Sequence, residues 1–442
     1  MNLDKKNNRN RCFFIETYGC QMNKNDSERI SNILQNNGFL KANTMEKADI
    51  IIINTCSVRQ HAENRALGRA RGLASWKKKS SKRRLGIVGC TAQRLGKELV
   101  EKIPHVDFIL GPDQYRHFPD IIYSSDQKSV INTEFQDNET YEKILPTIND
   151  NSVSSFVTIT RGCSNFCSYC IVPYTRGKLR SRDSNDIIRE IEFLVDSGKN
   201  EIILLGQNVN SYFDGKYHFS DLLKKVSRIN GVLRVRFMTS HPKDLSEDIL
   251  QVIRQKKNIC SHLHLPVQSG STRILSLMNR QYSRENYINL IVKARGLIPE
   301  LSLTTDIMVG FPGETEEDFQ ETVDLMKKIA FDNAYLYRYS SRPGTRAATM
   351  KNQIPEKIKL KRLNSIIQLQ RKISLKKKQA MIGQEVEVMP ETYSKYSANE
   401  LLGKTSTNFN IIFPGDETII GNLVSIKLKE CKGATLKGEL IT

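Results

Sequence analysis

Three continuous apolar runs early in the chain each lead into a cysteine, and this coincidence restricts the fold more than any other feature of the sequence. They are Phe13-Phe14-Ile15 running on to Cys20, Ala48-Asp49-Ile50-Ile51-Ile52-Ile53-Asn54-Thr55-Cys56, and Leu85-Gly86-Ile87-Val88-Gly89-Cys90. A strand that is apolar at successive positions is buried on both faces, as in parallel sheets covered by helices. After the first run a helical pattern with apolar Ile30, Ile33 and Leu34 closes at Gly38. In an open parallel sheet the carboxyl ends of the strands line one crevice, where ligands bind. Cys20, Cys56 and Cys90 are therefore expected to converge. Any one of them alone reads as a small buried hydrophobe; three at one relative position read as a three-ligand cluster site.

A second triad is local in sequence. The stretch Arg161-Gly162-Cys163-Ser164-Asn165-Phe166-Cys167-Ser168-Tyr169-Cys170 sets three cysteines at Cys-x3-Cys-x2-Cys spacing. A 4Fe–4S cluster normally takes four cysteines, so three leave one iron open to a ligand that is not protein. A zinc knuckle would ask for a fourth Cys or His close by. From Ser155 the chain alternates strand and helix six times, with strands expected over 156–160, 201–205, 235–239, 262–265, 303–309 and 334–339. This is the period of a parallel barrel or a doubly wound sheet. Chemistry in such barrels sits at the carboxyl ends of the strands, and the triad directly follows the first. Gly206-Gln207-Asn208, Ser240-His241-Pro242, Gln268-Ser269-Gly270 and Gly310 to Glu314 end later strands and point to the same mouth. His241, His262 and His264 are expected to pack inside the barrel rather than to bind metal.

The longer run from Thr160-Arg161-Gly162-Cys163 to Cys170-Ile171-Val172-Pro173-Tyr174-Thr175-Arg176-Gly177, with Tyr169 before the last cysteine, resembles the signature of radical S-adenosylmethionine (SAM) enzymes, and within them the methylthiotransferase branch. Segments 17–23, 54–59 and 89–93 resemble the three cluster-binding segments of the methylthiotransferase amino-terminal domain. The resemblance covers essentially everything beyond the first ten residues. It implies an α/β chain of three parts: an open parallel sheet domain over 11–125, a partial (β/α)6 radical SAM core over 150–380, and a small all-β, OB-like TRAM domain for RNA over 383–442. It further implies two 4Fe–4S clusters, one on Cys20, Cys56 and Cys90 and one on Cys163, Cys167 and Cys170. SAM would be held by Tyr169, Gly206, Gln207, Asn208, Ser240, Gln268, Gly310 and Glu314. The implied reaction is methylthiolation at carbon 2 of N(6)-dimethylallyladenosine next to the tRNA anticodon, one SAM giving the methyl group and a second the 5′-deoxyadenosyl radical. The residues 171–177 and Gly206-Gln207-Asn208-Val209-Asn210 favour this branch over those acting on threonylcarbamoyladenosine or a ribosomal protein. An aromatic C–H has no useful acidity, so a cofactor-borne radical suits the task better than a general base. The rivals are a different radical SAM reaction with an auxiliary cluster, and a non-enzymatic iron–sulfur protein that binds RNA.

Lys and Arg number 67 against 48 acidic residues, a net charge of +19, which makes a polyanion the leading partner class. With the resemblance, that partner is tRNA through its anticodon stem-loop. Arg176, Arg180 and Arg182, with Lys178, read equally as phosphate contacts and as charged residues of the barrel rim, while the basic run 76–84 reads equally well as a solvated loop. A basic helix is expected over 354–381, followed by short alternating strands in 383–442. No apolar run approaches the ~18 residues of a membrane helix, and the polar start lacks a signal-peptide core. A cytoplasmic, monomeric protein with reduced cysteines follows, served by a low-potential donor such as flavodoxin or ferredoxin. Cys12, Cys260 and Cys431 are expected to be structural, residues 1–10 disordered, and 124–155 a connection between domains.

Overall fold

The computed structural model describes residues 11–123, 129–148, 152–395, 397–433 and 435–441; the expected disorder of residues 1–10 lies outside them. The chain forms two compact units, one of Met1–Asn149 with Thr160–Ser164 and Cys170–Arg182, the other of Asp150–Ile159 with Asn165–Tyr169 and Asp183–Thr442.

The first unit is built on an all-parallel sheet of β1 (Cys12–Tyr18), β2 (Leu40–Lys41), β3 (Ile50–Thr55), β4 (Arg84–Gly89), β5 (Phe108–Leu110) and β6 (Val130–Asn132), in the order β2-β1-β3-β4-β5-β6. The isoleucine run of β3 is buried at every position because it feeds two cores. Ile51 and Ile53 pack with Ala66, Leu67, Trp76 and Leu99, while Ile50 and Ile52 pack with Phe13, Ile30, Leu34 and Phe108. Each such side chain contributes about 1.5–3 kcal/mol by leaving water.

The segment expected to be a connection is partly sheet and core instead. β6 is the sixth strand, and Glu139, Tyr141 and Ile144 are buried. Its polar composition concealed this, since the Tyr141 ring lies under the buried Arg161 and the Glu139 carbonyl accepts from the same guanidinium at 2.9 Å. Residues 124–128 and 149–151 of that stretch lie outside the described ones. In the basic run, Trp76 is buried, Arg83 lies over its ring, and Lys77 pairs with Asp107 at 2.6 Å, leaving Lys78, Lys79 and Lys82 exposed.

β7 (Ser154–Thr158) begins the second unit, while β8 (Thr160–Arg161) and β9 (Arg180–Ser181) make a short antiparallel pair in the first. Thr160 thus belongs to β8, not to the first barrel strand. β7, β10 (Glu201–Leu205) and β11 (Arg234–Phe237) pair in parallel, as do β12 (His262–His264), β13 (Ser302–Val309) and β14 (Asn333–Arg338). A parallel bridge between Val235 and Ile259 links the two sets, giving the six-stranded partial barrel expected. The helix Glu356–Gln379 follows.

The chain ends in a closed barrel of β15 (Glu385–Ser394), β16 (Ser397–Thr405), β17 (Asn410–Pro414), β18 (Val424–Lys432) and β19 (Thr435–Leu440), in the order β15-β16-β17-β19-β18. Val388, Leu401, Ile411, Phe413, Ile426, Leu428 and Leu436 fill it. It belongs to the same unit as the larger barrel, and two buried arginines fasten it there. Arg236 donates to the Thr405 carbonyl at 2.6 Å and Arg234 to that of Glu387 at 3.1 Å.

Candidate metal-cluster sites

Cys20, Cys56 and Cys90 follow β1, β3 and β4, three adjacent strands, at the carboxyl edge of the first sheet. Two glycines let them approach. A Cβ on Gly19 would stand 2.8 Å from that of Cys56, and Gly89 turns at φ 92° where a Cβ would meet the Thr55 carbonyl at 2.6 Å. Cys20 caps the helix Gln21–Asn36, its thiol 3.3 Å from Asn23 Oδ1. A hydrogen bond with Cys56 holds the Cys20 thiol well below the usual range, helped by the charge of Arg176. The same bond, with burial, pushes Cys56 up. The Val58 N–H donates to Cys56 Sγ at 3.3 Å, and Arg176 Nε to Cys90 Sγ at 3.1 Å. Among the described residues no three His, Cys, Asp or Glu side chains gather around a single-ion site; a cubane spreads three thiolates over three irons. Soft ligands ringed by N–H donors fit such a cluster.

Arg176 is not a surface cation. It is 2% exposed, its Nη2 2.6 Å from Asp26 Oδ2, and Asp26 takes the Tyr141 hydroxyl at 3.0 Å on its other oxygen. Arg161 lies 3.6 Å over the Tyr141 ring and pairs with Asp113, which Arg180 engages as well at 2.7 Å. Arg182 is also buried, and of this basic cluster only Lys178 is exposed. The expectation of phosphate contact is corrected for Arg176 and Arg180, whose guanidinium groups neutralise the buried Asp26 and Asp113; burying them unpaired would cost several kcal/mol. Sequence distance hid the partners, because Asp26 and Asp113 lie far upstream.

The second triad lies in the segment after β7. Cys163 N donates to the Gly177 carbonyl at 3.1 Å, and Phe166 takes φ 46°. Within the second unit, residues 165–169 are gripped by the segment after the helix Thr272–Leu277. Asn279 Nδ2 donates to the carbonyls of Asn165 and Phe166 at 3.2 and 3.1 Å, and Ser168 N to that of Met278 at 3.0 Å. Arg280, buried, reaches Cys167 Sγ at 3.5 Å and the Pro266 carbonyl at 2.7 Å. Neither Asn279 nor Arg280 carried a sequence signal, since a polar pair after a helix reads as an ordinary turn.

The strand ends of the barrel carry the expected polar groups, in different states. Asn208 donates to Asp244 at 2.6 Å, and Asn210 and His241 exchange two bonds of 2.9 Å, which ties the segments after β10 and β11 together. Gln268 takes φ 70°, with its N–H on the Asp306 carbonyl at 2.8 Å. Tyr169 packs against Phe311 and Tyr339, and Gly206 and Gln207 are half-buried. Glu314 is occupied by the Gly310 N–H at 2.9 Å and Arg362 at 2.7 Å. Ser240 Oγ and His241 Nε2 are buried without a hydrogen-bond partner, and burial, reinforced by Arg280 and Lys243, holds His241 down to about 2. His262 and His264 share the Thr304 hydroxyl at 3.0 Å each, as interior packing requires. Cys260 is buried, and Cys12 and Cys431 are half-buried.

A partial parallel barrel with a three-cysteine segment after its first strand, joined to a sheet whose edge bears three more, defines a radical SAM protein with an added cysteine-triad domain. Family descriptions match accordingly: the radical SAM superfamily over residues 157–326, uncharacterized protein family UPF0004 over 12–111 and the TRAM domain over 379–441. Proteins named tRNA-2-methylthio-N(6)-dimethylallyladenosine synthase are similar along their whole length. That of Thermoanaerobacter pseudethanolicus is 43% identical over 99% of this chain and 94% of its own, and that of Phocaeicola vulgatus 46% over 97% and 96%. The chain belongs to this family. Among solved structures, the radical SAM methyltransferase TsrM from Kitasatospora setae, with cobalamin and a 4Fe–4S cluster bound, shares the fold at a TM-score of 0.57 and 13% identity over 77% of each chain.

Proposed function

We propose that this chain is a tRNA methylthiotransferase that attaches a methylthio group to carbon 2 of N(6)-dimethylallyladenosine next to the anticodon, with two 4Fe–4S clusters and SAM. The observation that carries this reading is the presence of two cysteine triads in one chain of this family. Cys163, Cys167 and Cys170 would hold a cluster of the radical SAM type and Cys20, Cys56 and Cys90 a second, each set one ligand short of the usual four. When bound, the clusters supply reductive cleavage of SAM at one site and a carrier for sulfur at the other.

The chain's own residues bind and orient. Ser240 Oγ and His241 Nε2 are buried donors or acceptors without partners, a state that costs about 1–3 kcal/mol until a ligand atom meets them. A neutral His241 avoids repelling a sulfonium. Tyr169, Gly206, Gln207, Asn208, Gln268 and Gly310 complete the SAM contacts, and Glu314 acts at one remove by holding the Gly310 N–H. For RNA, a cavity of about 810 Å3 has Tyr335, Tyr337 and Phe409 beside Arg371 and Lys378, a mixture that suits stacking and phosphate contact. The exposed Lys357, Lys361, Lys372 and Lys376 extend that charge along the helix Glu356–Gln379. A monomer working in the cytoplasm with flavodoxin or ferredoxin as electron donor completes the reading.

Mass spectrometry of nucleosides after anaerobic reaction with SAM tests the substrate. The expected product forms on tRNA that carries the dimethylallyl group; preferential methylthiolation of threonylcarbamoyladenosine, or of a ribosomal protein, would refute it. Reconstituted protein should hold about eight irons. Replacing Cys163, Cys167 and Cys170 by Ala should leave about half and abolish SAM cleavage.

A further inference from the structure

We propose that Arg176 is a positioning residue for the cluster on Cys20, Cys56 and Cys90, fixing the Cys90 thiolate and raising the reduction potential of that cluster, with the Tyr115 hydroxyl as a second donor. The inference rests on the two-cluster reading above. Arg176 lies six positions beyond Cys170, yet it serves the other triad. Its guanidinium cannot swing: Nη2 is held by Asp26 at 2.6 Å, Asp26 is itself fully buried, and the second oxygen of Asp26 is held by Tyr141 at 3.0 Å. This clamp aims Nε at Cys90 Sγ, 3.1 Å away.

Two further donors remain there. Arg176 Nη1 and the Tyr115 hydroxyl are both buried with no hydrogen-bond partner. Tyr115 is 1% exposed, and its ring stacks on that of Tyr141, the residue that holds Asp26, with centroids 6.1 Å apart. Arg161 Nε and Arg180 Nε are orphaned as well, so what points to sulfur is that the open Nη1 belongs to the guanidinium whose Nε already donates to Cys90 Sγ. The Arg176 donor left open beside the Cys90 thiol suits a sulfur acceptor that arrives with the cluster. A cluster on three thiolates is anionic in both oxidation states and more so when reduced, so a dry cation and N–H donors at a ligand sulfur favour the reduced state.

The test uses the full chain with Cys163, Cys167 and Cys170 replaced by Ala, so that one cluster reports. After anaerobic reconstitution, iron is counted and the midpoint potential is read by titration followed by electron paramagnetic resonance. Against that parent, R176Q should lower the midpoint, and so should R176Q/D26N, which leaves no buried carboxylate unpaired. R176K should recover part of the shift, and Y115F should fall by less than R176Q. An unmoved midpoint in R176Q/D26N, or a fall in R176K as large as in R176Q, overturns the inference. If both glutamine variants lose the cluster, Y115F and R176K decide: lowered midpoints with full iron support it, and unmoved midpoints overturn it. A parent chain that binds no iron refutes the two-cluster reading and the inference with it, whereas a parent with iron and insensitive potentials refutes the inference alone.

Discussion

Asn23 and Asn54 hold each other across the carboxyl edge of the first sheet: the Asn23 amide donates to Asn54 Oδ1 at 3.1 Å, and the Asn54 amide to the Asn23 carbonyl at 2.9 Å. Both are fully buried, and Asn23 Oδ1 also receives the Cys20 thiol at 3.3 Å. The pair therefore spaces Cys20 from β3 and from Cys56. Asn54→Val leaves buried partners unsatisfied and should lower stability by about 2–4 kcal/mol, read by urea unfolding. Iron after reconstitution should fall towards half while SAM cleavage persists at the other triad. Full iron in a destabilised variant would mean that the amides serve only the fold.

Glycine at position 89 is required twice, by φ 92° and by the carbonyl 2.6 Å from any Cβ. Gly89→Ala should cost about 1–3 kcal/mol through backbone strain and displace Cys90 from Arg176. Gly68 offers the contrast: it lies in the helix Gln60–Gly72 with open space around it, and Gly68→Ala should stabilise by about 0.5–1 kcal/mol. Thermal melts of the two variants should move in opposite directions.

Burial, with Arg236 and His264 nearby, holds His262 down to about 3, far below the ordinary value of about 6.5. The folded state keeps this ring neutral while the unfolded state protonates it, so its contribution is present above about pH 6.5 and is lost as pH falls towards 3. Each unit in that window costs up to about 1.4 kcal/mol. Denaturant unfolding from pH 7 to pH 5 should be less pH-dependent in His262→Gln than in the parent, and equal slopes would contradict this.

Removing residues beyond 382 is a poor way to test RNA binding, because it strips Arg234 and Arg236 of the carbonyls of Lys404, Thr405 and Ser406. The truncated chain should melt earlier than the full one. Arg371→Gln with Lys372→Gln keeps that interface and removes only charge from an exposed stretch. Its tRNA affinity should weaken, and its salt slope should become shallower by about one for each phosphate that is no longer neutralised. Affinity unchanged at both low and high salt would remove this helix from the RNA surface.

The sequence by itself determined the two parallel folds, the terminal small barrel and the positions of the two cysteine triads, because each leaves a local trace. Continuous isoleucines such as 50–53 demand burial on both faces, strand ends fix where Cys20, Cys56 and Cys90 fall, and the spacing of Cys163, Cys167 and Cys170 is carried by one short segment. What only the tertiary structure decided is which charges are spent inside. Arg176 and Arg180 read as phosphate ligands as readily as rim charges because a guanidinium far from carboxylates in sequence reads as free. Asp26 and Asp113 reach them only once the chain is folded, and desolvation then makes pairing obligatory. Arg280 on Cys167 and Glu314 under Gly310 were hidden for the same reason: an ion pair or an N–H donor at a thiol has no period and no spacing, so it exists only in three dimensions.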